Sequence, residues 1–137
     1  MLATVTATRG PFIVVALGDR DSFGFSDRTF PALVALVDAH SPDHRDVRHP
    51  GVMAYFRASA EAARRVQSLV EAAEQLRKHP EFASLGIGIA SGPLIADLAA
   101  GMTPLGTTAN DASRLSMSAP DAYIDPFNVL LREYRLA

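Results

Sequence analysis

Leu85-Gly86-Ile87-Gly88-Ile89-Ala90 sets aliphatic side chains and glycine at alternating positions. Side chains of a strand point to opposite faces in turn, so this stretch reads as a strand with glycines on one face. Ser91-Gly92-Pro93 follows and reads as a turn, with Leu94 to Leu98 as a candidate further strand.

Upstream of that strand, Val66, Leu69, Val70, Ala73 and Leu76 recur at helical spacing, while Arg64, Arg65, Glu71, Glu74 and Arg77 fall elsewhere. Ser59 is placed to cap this helix and Pro80 to stop it. Further back, Gly51 to Phe56 (GVMAYF) and Phe12 to Leu17 (FIVVAL) are continuous apolar runs that read as buried strands. The polar turn Gly18 to Gly24 ends the first. Pro31 fits the first turn of a short helix carrying Leu33, Leu36 and Val37 and ending near His40. Ser41 to Pro50 is polar and reads as irregular.

Downstream, Thr107 or Thr108 can cap a helix through Ala109 to Met117, and Tyr123-Ile124 is at most a brief strand. Asp125-Pro126 opens a last helix with Phe127, Leu130, Leu131 and Tyr134 inward. The order matches an α+β, ferredoxin-like βαββαβ core with an added C-terminal strand and helix. It needs a central hairpin turning near His49-Pro50-Gly51.

The 137 residues suffice for one domain, 1–137, with one sizeable core. A net charge of −2 offers nothing to a nucleic-acid backbone, so no nucleic acid is expected as partner. The absence of cysteine excludes disulfides, thiolate metal sites and a cysteine nucleophile. Met1 to Gly10 lacks a cleavage-like pattern. Phe82 to Gly106 carries Asp97 as its one charge, but Gly86, Gly88, Gly92, Pro93, Gly101 and Pro104 break it into pieces too short to span a bilayer. A cytoplasmic chain without membrane contact is the expectation. No P-loop or G-x-G-x-x-G occurs, and the glycine spacing around Ser91 is wrong for a nucleophile elbow. His40, His44 and His49 lie near Asp38, Asp43 and Asp46, a set that could bind zinc; Pro42 and Pro50 argue against a helix there, and a solvated loop is the expectation.

Gly106-Thr107-Thr108-Ala109-Asn110-Asp111-Ala112-Ser113-Arg114-Leu115 is the segment richest in chemistry. Asn110 and Arg114 are four apart, so a helix puts both on one face. An amide and a planar guanidinium together suit a ribose or a phosphoryl group. A solvent-exposed helix start with a stray arginine explains the same spacing.

This segment resembles the class III adenylyl and guanylyl cyclase motif G-[DNE]-x-V-N-x-A-[SA]-R-[LM]. Leu85 to Pro93 resembles the same family's [LR]-x-x-G-I-x-[ST]-G-P. The resemblance implies that Asn110 orients the ribose, that Arg114 stabilises the transferring phosphoryl group, and that Thr103 helps to read the base. At the first strand's end the family reads F-x-D-[IM]-x-G-[FS]. Two registers fit, one on Asp19, directly after the apolar run, and one on Asp21, which matches the letters better. Either carboxylate would then hold Mg²⁺ or Mn²⁺, with Phe23 and Gly24 against the nucleotide. The second metal carboxylate and the base-reading lysine fall on Pro50 and Asp46. Proline has no side-chain oxygen, and the neighbouring His49 is a poor ligand for Mg²⁺. The resemblance therefore implies a degenerate cyclase-like domain that binds a purine nucleotide and pairs as a homodimer or with another cyclase-like chain. An active cyclase and a ligand-free interaction scaffold are the alternatives.

Overall fold

The apolar run Phe12–Leu17 forms the middle of a longer strand, β1 (Thr8–Asp19). The computed structural model describes residues 7–21, 28–48 and 51–137. After β1 come α1 (Thr29–Asp38), β2 (His44–Arg48), β3 (Gly51–Arg57), α2 (Ala60–Leu76), β4 (Leu85–Ala96), α3 (Thr107–Ser116) and α4 (Ile124–Glu133). The four strands make one sheet in the order β2-β3-β1-β4, with every neighbouring pair antiparallel. Thus β1-α1-β2 brackets β3, and β3-α2-β4 brackets β1. That is the ferredoxin-like path the element order predicts.

Strand alternation divides the core. Ile13, Val15 and Leu17 face one side with Leu33 and Val37 of α1, Val66, Leu69 and Val70 of α2, and Phe127 and Leu130 of α4. Phe12, Val14 and Ala16 face the other side with Met53, Tyr55, Leu94 and Ala112 of α3. So α3 is the helix on the second face. Both faces of β1 are covered, which is why its sequence is apolar without alternation.

The glycine face of β4 is what admits α3. A Cβ on Gly88 would lie 1.9 Å from the Ala112 carbonyl oxygen, and one on Gly86 would lie 1.8 Å from that of Ser116. Thr108, Ala112 and Ser116, spaced by four, are the buried residues of α3. Helix and strand are therefore in backbone contact, which a side chain larger than hydrogen would prevent.

Four local expectations are corrected. Ser41–Pro50 is not irregular throughout: His44–Arg48 pairs with β3 as an edge strand, so His40 and His44 do not share a solvated loop. Ser91-Gly92-Pro93 is not a turn, because β4 runs through it opposite Pro11, Phe12 and Ile13 of β1. No strand forms at Tyr123-Ile124, where α4 begins; beyond β4 the sheet gains a single bridge, Ile95 to Leu105. At the start of α3 it is Gly106, at φ 149°, that caps, and not a threonine side chain.

The expected Ser59 cap is present, its Oγ accepting the Ala62 N–H at 3.0 Å. Ser59→Ala is expected to cost about 1 kcal/mol. Urea denaturation will show this as a lower midpoint at unchanged slope.

Candidate functional site

α3 packs mainly on β4 and β1, so on the same face a hollow remains over β3 and β2, although Met53 and Tyr55 beneath it are themselves buried. The result is a cleft of about 560 Å³ between α3 and the β2–β3 hairpin. Ala16, Gly18, Gly51, Met53 and Tyr55 form its floor, Arg48 its outer wall, and Thr107, Asn110, Ser113 and Met117 its inner wall. Pro104 and Leu105 close it toward the start of α3.

The ladder register orders the floor in rows. Arg48, Gly51, Gly18 and Gly86 align across the sheet, then Asp46, Met53, Ala16 and Gly88, then His44, Tyr55, Val14 and Ala90. In the first row the three strand positions inward of Arg48 are all glycine, and the Arg20 side chain lies beside Gly86 near the end of α3. The third is aromatic: the His44 and Tyr55 rings lie 5.7 Å apart, and His44 Nε2 meets Thr103 Oγ1 at 3.2 Å. Burial, reinforced by the Asp46 carboxylate, pushes the Tyr55 hydroxyl above its ordinary pKa, with Arg48 opposing. Arg48 Nε donates to Asp46 Oδ2 at 2.5 Å.

Asn110 and Arg114 do share a face of α3, where they line a shallow depression with Thr107 and Ser113. Asn110 also lines the main cleft. Arg114 does not; its side chain is 78% exposed and donates to Asp111 Oδ1. Thr103 sits at the aromatic end, engaged with His44.

Against solved structures, the chain matches a bacterial light-regulated adenylyl cyclase with a TM-score of 0.54 at 21% identity, over 80% of this chain and 70% of that one. It matches the monomeric guanylyl cyclase domain of the RhoGC fusion protein from the aquatic fungus Blastocladiella emersonii with a TM-score of 0.58 at 18% identity, over 82% and 78%. A rhodopsin-guanylyl cyclase catalytic core with converted specificity, in complex with ATPαS, gives 0.56 at 16% identity, over 82% and 74%. The chain has the fold of a class III nucleotide cyclase domain. No protein-family model and no curated protein matches it.

In this cyclase-like domain the described acids do not make a two-metal site. Asp19 is buried at the end of β1 and pairs with Leu85, a residue of the helix-covered core. Its Oδ1 already accepts from Ser84 Oγ at 2.6 Å and from the Asp21 N–H at 3.0 Å. Asp21 is exposed. Among the described residues no carboxylate lines the cleft, and no cluster of three His, Asp or Glu could hold a metal ion. A pair of divalent cations needs shared carboxylate oxygens, which this arrangement does not offer. Phe23, Gly24, His49 and Pro50 lie outside the described residues. Among the described residues, no helix is long and apolar enough to cross a membrane.

The sequence reading missed Arg48, Met53 and Tyr55 as cleft residues. Their signal was the alternation His44, Asp46, Arg48 opposite Tyr55, Met53, Gly51, visible once β2 is recognised as a strand.

Proposed function

We propose that this chain is a degenerate nucleotide cyclase-like domain, catalytically weak or inactive, that holds a purine nucleotide and acts as a dimerising or regulatory module. One observation carries the reading: Asn110 of the cyclase-like motif lines a formed cleft of nucleotide size that, among the described residues, has no carboxylate in its walls. Phosphoryl transfer of this class depends on metal-held charge stabilisation, and the described residues do not assemble the carboxylates for it. Arg114 faces outward from its own cleft, as a residue serving a site shared with a second chain would. Leu105 and Met117 at the cleft rim are exposed and apolar, which suits burial against such a partner.

Incubation with ATP or GTP and Mn²⁺ is expected to give cyclic nucleotide at background level. Purine nucleotides, tested from mono- to triphosphate, are expected to raise the melting temperature. At about 100 times Kd a ligand stabilises the folded state by about 2.7 kcal/mol. Robust cyclic nucleotide would reject the degenerate reading in favour of an active cyclase. No thermal shift with any nucleotide at millimolar concentration would reject nucleotide binding and leave an interaction scaffold.

A further inference from the structure

We infer that the cleft takes a purine nucleotide carrying a single phosphate, bound without a divalent cation, with the Arg48 guanidinium gripping that phosphate over the bare Gly18 and Gly51 floor. The inference rests on the nucleotide-site reading above and concerns how the ligand's charge is met.

Arg48 is the one charged residue among the described residues that line the cleft. A metal-complexed triphosphate would bring its cation toward this guanidinium and find the nearest described carboxylate, Asp46, already engaged by it. An uncomplexed triphosphate presents three phosphate groups where the described lining offers one guanidinium. A single phosphate group matches a single planar fork of donors.

Geometry holds the fork in place. Asp46 Oδ2 engages Arg48 Nε, which fixes the plane of the group and leaves the donors on its two terminal nitrogens to meet an anion. Arg48 stands in register with Gly51 and Gly18. A Cβ on Gly51 would fall 2.4 Å from the Leu17 carbonyl oxygen, so this floor stays without side chains and a phosphate can sit close to it. The other end of the trough is different: the nearly buried Tyr55 and Met53 make an apolar, partly aromatic floor on which a base can rest, and Asn110 is among the wall residues. His44, opposite Tyr55, and Arg48 are about 13 Å apart along β2 at the usual rise per residue. One trough therefore has a base end and a phosphate end.

Calorimetric titration of the full chain with AMP, GMP and their 3′,5′-cyclic forms, in EDTA and in Mg²⁺, tests this. The expected result is one or more of these binding with a Kd that agrees within about twofold in the two buffers. Arg48→Gln, an exposed position, is expected to leave the ligand-free melting temperature unchanged and to weaken binding on the order of 10-fold or more, the loss of a charge-assisted contact. Adenosine and guanosine, lacking the phosphate, are expected to bind wild type and Arg48→Gln alike. Affinity that appears only with Mg²⁺, tighter binding of Mg-ATP than of any monophosphate, or indifference to Arg48→Gln would overturn the inference while the nucleotide-site reading stands. If no nucleotide of any kind binds, the reading of the cleft itself fails.

Discussion

Gly88→Val is expected to lift α3 from the sheet and to cost at least about 3 kcal/mol, the upper end of the range for overpacked cores. The first added carbon would already lie 1.9 Å from the Ala112 carbonyl oxygen and 2.7 Å from the Ser116 amide nitrogen. Both are backbone atoms, so no rotamer change relieves the clash. Valine adds two methyl groups beyond that carbon and fixes them by its stiff χ1. The helix must move as a body, and the cleft goes with it, because Thr107, Asn110, Ser113 and Met117 form one of its walls. Against a typical total of about 5–15 kcal/mol, such a loss leaves a domain that melts early and no longer binds nucleotide. Gly10→Val is the matched control: a Cβ at Gly10 meets nothing within 4 Å, so it is expected to stay within about 0.5 kcal/mol of wild type. Equal urea midpoints for the two variants would show that the backbone contact of α3 with β4 carries no weight.

The same contact explains which parts of this fold could be read from its sequence. β1 was legible because helices cover both of its faces and every residue from Phe12 to Leu17 had to be apolar. α2 was legible because one face lies on the sheet and the other in water, which writes a helical period into the chain. β2 was not. It is an edge strand whose row on the cleft side, His44, Asp46 and Arg48, is polar, with Arg48 alone of the three lining the cleft, and whose outward residues Arg45 and Val47 are exposed, so neither face demanded apolar residues. Hydrogen bonding to β3 defines it, and that is a tertiary fact.

Pro93 misled for a related reason. Ile95 exchanges both backbone hydrogen bonds with Leu105 on the outer edge of β4. Residues two apart share that direction in an antiparallel ladder, so Pro93 would aim its missing N–H away from β1. The strand therefore continues through a residue that usually ends one.

At the candidate site, the spacing of Asn110 and Arg114 was enough to place them on a common face, because helix geometry alone settles it. Spacing could not show that Arg114 leans to the rim while Asn110 reaches the cleft. Nor could it show that Asp19 spends its oxygen on Ser84, a partner distant in sequence that the β1–β4 pairing brings alongside. The sequence pattern ranks residues by chemistry. The sheet register decides which of them share a space.

Tyr123→Ala is expected to be the most damaging change on the opposite face of the sheet, at about 3–5 kcal/mol for the loss of a buried ring. Tyr123 is 1% exposed and joins α4 to α2. Its ring lies 6.5 Å from that of Phe127, and the Arg77 guanidinium stacks over it at 5.5 Å. Its hydroxyl donates to Glu74 Oε2 at 2.6 Å, while Arg77 Nη1 holds the Pro120 carbonyl at 2.8 Å. Tyr123→Phe keeps the ring and removes only the hydroxyl. Glu74 is half-buried and can take water instead, so about 1 kcal/mol is expected at neutral pH. The two variants together separate packing from hydrogen bonding. A pH series then isolates the hydroxyl. Burial first, and then the bond to the Glu74 carboxylate, push its pKa up from 10.0 to about 12. The folded state thus holds its proton more tightly than the unfolded chain. Below pH 10 both states are protonated and the contribution of the hydroxyl is complete. Between about pH 10 and pH 12 the unfolded chain ionises first, so the stability of wild type must fall toward that of Tyr123→Phe, which has no such group. Tyr55 and Tyr134 are also raised by burial, but they titrate alike in both proteins and cancel in the difference. A wild-type minus Tyr123→Phe difference that stays flat across that window would mean that the hydroxyl is not held as the geometry around Glu74 requires.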